Sequence, residues 1–109
     1  MKKRNLFSER VVELALSIPK GRVTTYGRLA RAAGGGAMAS QSITSILWKA
    51  EQRGVKNIPY HRIVYAEGRI WIDPKRREER LALYKKEGIK IDKDDKVVDF
   101  KKKVLAPLA

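Results

Sequence analysis

The chain has one histidine, His61, and no cysteine in 109 residues, and this bounds the chemistry it can do. Without cysteine there is no disulfide, no thiolate metal ligand and no thiolate nucleophile. A lone histidine excludes a multi-histidine metal centre, so neither a metal nor a cofactor is expected. His61 stands in Pro59-Tyr60-His61-Arg62, where the nucleophile beside it is a phenol. A phenol with a pKa of about 10 is only about 0.1% ionised at neutral pH, and its oxygen attacks carbon poorly. A histidine beside a short extended segment is more often a satisfied interior residue than a catalyst. These residue types favour recognition over covalent chemistry.

A second set of side chains recurs at helical spacing upstream. Gln41, Ser42, Ser45 and Lys49 share one face of a helix expected over about 39–52. They are small or hydrogen-bonding and permit close approach to a groove; an ordinary solvated helix face explains them equally well. Charge tips the balance towards a polyanion. Lysine and arginine number 25 against 12 acids, for a net charge of +13. A charged surface built only for stability would carry balanced signs. Nucleic acid is the expected partner. No apolar run approaches the roughly 20 residues that span a bilayer, so no membrane role is expected. The start, Met1-Lys2-Lys3-Arg4-Asn5-Leu6-Phe7, lacks an apolar signal region, and the expected location is the cytoplasm, at the nucleoid.

The elements that must hold these residues can be read from spacing. Phe7, Val11, Leu14, Ala15 and Ile18 predict a first helix, capped near Ser8 and ended by Pro19-Lys20-Gly21. Thr24 or Thr25 caps a second helix carrying Tyr26, Leu29, Ala30 and Ala33 inward. Gly34-Gly35-Gly36 stops it. Helix, glycine turn, helix is the pattern of a helix-turn-helix. Ile63-Val64-Tyr65 and Arg69-Ile70-Trp71-Ile72, around Ala66-Glu67-Gly68, predict a hairpin or wing. Asp73-Pro74 starts a last helix running through Leu81 and Tyr84 to Gly88. The expected fold is mainly α with a small β-hairpin, a winged helix-turn-helix-like domain. A single monomeric domain over 1–109 is expected, with a core at about 7–91 and a loosely packed basic tail over 92–109 that includes Lys101-Lys102-Lys103.

Three segments together resemble the DNA-binding domain of the O6-alkylguanine-DNA alkyltransferases. They are Ile18-Pro19-Lys20-Gly21-Arg22-Val23-Thr24-Thr25-Tyr26-Gly27-Arg28-Leu29-Ala30, Ile58-Pro59-Tyr60-His61-Arg62-Ile63-Val64 and Glu87-Gly88-Ile89. Those enzymes carry a cysteine that accepts the alkyl group where this chain has Tyr60. In this the chain is similar to the alkyltransferase-like proteins, which bind alkylated guanine without repairing it and pass the lesion to excision repair. The resemblance thus implies a non-enzymatic sensor of O6-alkylguanine in double-stranded DNA, with excision-repair proteins as partners.

The resemblance also implies roles. Tyr26 matches the tyrosine that drives the target nucleotide out of the duplex. Tyr60, His61, Arg62 and Glu87 would form the lesion pocket, with His61 and Glu87 a structural pair and Arg62 a brace. Thr25, Arg28, Gln41, Ser42, Ser45 and Lys49 are the expected DNA contacts. Two positions depart from the family pattern. Gln41 stands where an arginine is inserted into the base stack, and Trp71 falls where a glycine- and tyrosine-rich loop closes the pocket. Other readings are a winged-helix regulator of undamaged DNA, a basic RNA-binding protein, and an enzyme acting through Tyr60.

Overall fold

Apolar residues three and four apart organise the first half of the chain into three helices. The computed structural model describes residues 6–36 and 38–104; the basic start at 1–5, Ala37 and the last five tail residues, 105–109, lie outside them. Helix α1, Leu6–Leu16, buries Val11 and Ala15 and packs on both helices that follow. Ser8 lies inside its first turn rather than ahead of it as a cap. Helix α2, Tyr26–Ala32, buries Leu29 and Ala30, and helix α3, Ile43–Gln52, buries Ile43, Leu47 and Ala50. Burying each of the larger side chains contributes roughly 1.5–3 kcal/mol. A left-handed Gly34, at φ +92°, ends the α2 segment, and a 3-10 turn, Ala39–Ser42, leads into α3. The pair α2 and α3 is the expected helix-turn-helix.

The small sheet is present but joins different partners. Strand β1, Thr24–Thr25, runs parallel to β2, Ile63–Val64, with Thr24 opposite Ile63 and Thr25 opposite Val64. The turn after β2 does close, through Tyr65 N–H to Arg69 O at 2.8 Å and Gly68 N–H to Tyr65 O at 3.0 Å. The chain beyond it then leaves instead of forming a hairpin arm. Arg69 pairs antiparallel with Lys96, and Ile70 N–H donates to Asp95 O at 2.8 Å. Burial explains the outcome. Ile63 packs into the three-helix core while Val64 packs into a second cluster with Val23, Ile70, Ile72, Tyr84, Ile89 and Val97. A strand covered on both faces suits a central parallel pairing, not an exposed wing.

The expected boundary at Ile91 is also corrected. Val97 is buried in the second cluster and Phe100 packs against it. Backbone bonds fasten the segment, from Val97 N–H to Gly68 O and Val98 N–H to Lys90 O, both 2.9 Å, and from Val23 N–H to Lys103 O at 3.0 Å. Lys101, Lys102 and Lys103 belong to a short helix α5, Phe100–Lys103. Helix α4, Arg77–Lys86, follows a 3-10 turn that Asp73 caps by accepting from Lys75 N–H at 3.0 Å.

Candidate nucleic-acid interface

Glu87, just past the end of α4, is the centre of a buried polar knot. Its carboxylate accepts from Arg62 Nε at 3.0 Å and Nη2 at 2.7 Å, and from Gly21 N–H at 3.2 Å. It also lies 2.8 Å from His61 Nε2. Arg62 Nη1 reaches the Ile18 carbonyl at 2.8 Å, so one guanidinium ties the end of α1 to the end of α4. The Glu87 side chain is 7% exposed. Burial pushes its carboxyl up, but the bonds from Arg62, His61 and Gly21 outweigh burial and hold it at about 2. Burial pushes the His61 ring down against the pull of Glu87, so the ring is neutral at pH 7. A neutral ring beside an ionised carboxylate must donate from Nε2, which fixes the tautomer. Gly21 belongs to the knot through its backbone. It sits at φ +83°, and a Cβ there would lie 3.2 Å from the Glu87 carbonyl oxygen.

In front of the knot is a recess of about 270 Å3, lined by Tyr26, Thr44, Tyr60, Ile63, Tyr65, Trp71, Arg80 and Tyr84. At about 30 Å3 per water in the liquid, this is room for roughly nine waters, the size class of a purine. Its walls come from α2, α3, β2, the loop before α4, and α4 itself. Tyr26 leans on Tyr65, with ring centroids 5.4 Å apart at 40°. The His61 ring meets Tyr84 edge-on at 5.8 Å, linking knot to wall. The Tyr60 hydroxyl is buried without a hydrogen-bond partner. Burial, and then the Glu51 carboxylate, push its pKa up, so the phenol is less ionised than a free one. Burial pushes Tyr26 up despite the neighbouring Thr44 side chain, and it pushes Tyr84 to about 12.

Of the four residues expected to form a pocket, Tyr60 lines the recess, while His61, Arg62 and Glu87 stand behind its wall. Gln41, Ser42, Ser45 and Lys49 do come together. With Phe7, Ser8, Glu9, Ile46 and Arg53 they line a groove between α1 and the outer face of α3. Thr25, expected both as a cap and as a DNA contact, takes the capping position. It is 8% exposed, and its hydroxyl caps α2 by accepting from Arg28 N–H at 3.0 Å. The Arg28 side chain lies apart from the α3 face, in a hollow with Glu67, Phe100 and Lys101. Thr44, Tyr65, Arg80 and Tyr84 were not anticipated as lining. The one available signal was Arg80 and Tyr84, four apart on a single helix.

A helix-turn-helix whose flank holds an aromatic, base-sized recess defines a class of small DNA-binding domain. The chain belongs to the family of the 6-O-methylguanine DNA methyltransferase DNA-binding domain, whose family model matches residues 6–89. Two curated relatives, each called a DNA base-flipping protein, from Escherichia coli K12 and Shigella flexneri, are 33% identical to it over 84 residues. The match covers 76% of this chain and 63% of each relative, so it spans less than two thirds of their length. Among solved structures, S. pombe Atl1 in complex with damaged DNA containing O6-carboxymethylguanine superposes with a TM-score of 0.70 at 21% identity. The match covers 97% of this chain and 100% of that one. A second complex, of S. pombe ATL with DNA, gives a TM-score of 0.64 at the same identity and coverage. These likenesses establish a shared fold.

Proposed function

We propose that this chain recognises O6-alkylguanine in double-stranded DNA by taking the flipped base into the recess, and that it leaves the alkyl group in place. The observation that carries the reading is the recess itself, beside the second helix of a helix-turn-helix and walled by a phenol instead of a thiol. Extracting a base costs a few kcal/mol, and an aromatic recess offers stacking in return. Tyr60 stands where the repair enzymes place their acceptor cysteine. Its buried hydroxyl is held further from ionisation than a free phenol, which works against alkyl transfer. Gln41 and the exposed face of α3 approach the groove, with Gln41 filling the gap left by the base. Relatives known as a DNA base-flipping protein and as a protein bound to damaged DNA agree with this reading. The proposal includes monomeric action at the nucleoid and hand-over of the marked lesion to excision-repair proteins.

The test is a titration with two duplexes that differ only in one O6-methylguanine, followed by intact-mass measurement of the protein. The expected result is tighter binding of the lesion duplex with the protein mass unchanged. Equal affinity for the two duplexes overturns recognition. A mass gain of one methyl group overturns the non-enzymatic reading.

A further inference from the structure

Among the described residues that line the recess, Arg80 is the only cation and none is a carboxylate. It lies beside the Tyr84 side chain on the same helix, and its charge acts on Tyr26, Tyr84 and His61 together. The carboxylates of Glu87 and Asp95 are bonded to other cations, Glu87 to Arg62 and Asp95 to Arg77. A guanidinium carries five N–H donors and no acceptor. Half-buried among aromatic walls, Arg80 therefore brings a surplus of donors to the space a base would occupy.

The geometry points to Arg80 as the residue that sets base specificity, selecting purines with oxygen at position 6 over purines with an amino group there. This inference rests on the proposed lesion-binding role of the recess. Guanine-type purines present acceptors at O6 and N7, which a guanidinium fork matches, whereas adenine-type purines present an N–H donor at position 6. Donor facing donor leaves both groups unpaired once the base is stacked between the walls, and such mismatches discriminate strongly. The aromatic walls stack on any base, so shape and stacking alone leave the two classes unresolved. Arg80 acts here through hydrogen bonding, because its planar fork must meet two acceptors on one edge.

The experiment compares duplexes carrying O6-methylguanine, unmodified guanine, or 2-amino-6-methylaminopurine, which replaces the ether oxygen with N–H. Each is titrated against the wild-type chain, Arg80→Ala and Arg80→Lys, with thermal melts confirming that the variants fold. The wild type is expected to prefer the ether base over the amino analogue by about tenfold, the lower range of a bidentate contact. In Arg80→Ala that preference falls to within about twofold, while the lesion is still bound more tightly than guanine. Arg80→Lys keeps the charge but loses the fork, and it behaves like Arg80→Ala. Three results overturn the inference: an unchanged preference in Arg80→Ala, a uniform loss of affinity for all three duplexes, or an Arg80→Lys variant that matches the wild type. Failure of the wild type to distinguish O6-methylguanine from guanine counts instead against the lesion-binding reading itself.

Discussion

Glu87 shows how much a single side chain settles. Its pKa falls from 4.5 in the unfolded chain to about 2 in the folded one, so its ionised form is favoured by folding. A depressed carboxylate stabilises the fold above its unfolded pKa, here by up to about 3 kcal/mol, and that stability is lost as pH falls from about 5 to 2. Urea midpoints measured across this window are expected to drop for the wild type. In Glu87→Gln they start lower and change much less. Trp71 makes a second prediction at this scale. It lines the recess yet is 66% exposed, so Trp71→Ala should leave stability within about 0.5 kcal/mol. It should weaken binding of an O6-methylguanine duplex about tenfold, the value of one lost stacking partner, as read by anisotropy. Tyr60, His61, Arg62 and Glu87 could be named from the sequence because they stand in segments that resemble a known family. Arg80 could not be. It sits in the charged run Arg76-Arg77-Glu78-Glu79-Arg80, where its spacing of four from Tyr84 is the one mark of a side chain that turns inward.

At the scale of elements, helices were legible and pairings were not. The apolar period of α1, α2 and α3 is a local property, and so are the Thr25 cap and the glycine turn, and all of these stand in the structure. The partner of β2 depends on burial against two clusters, a tertiary fact that no window of residues contains. The segment beyond Ile91 misled for a related reason. Its lysines dominate its composition, while Val97 and Phe100 carry its apolar packing on the second cluster. Val97→Ala is therefore expected to cost about 1–3 kcal/mol in denaturant unfolding, the range for trimming a buried aliphatic side chain. A loosely packed tail predicts a change below about 0.5 kcal/mol.

For the whole molecule, the net charge of +13 sets the long-range behaviour. Basic side chains on the α3 groove, with Lys101 and Arg28 on a separate face, offer more than one place for phosphate contact. If about five phosphates are neutralised, log affinity falls against log salt with a slope of roughly −4 to −5. A flat dependence in titrations from low to physiological salt contradicts DNA binding of any kind. Charge alone does not choose a lesion, so in the proposed function selectivity resides in the recess, which the charge only brings to the duplex.

The most direct measurement is a crystal structure of the chain bound to a duplex containing one O6-methylguanine. The account predicts the modified base rotated out of the helix and stacked between Tyr26, Tyr60 and Trp71, its methyl group intact. A complex in which that base remains stacked in the duplex, with the recess empty, contradicts it.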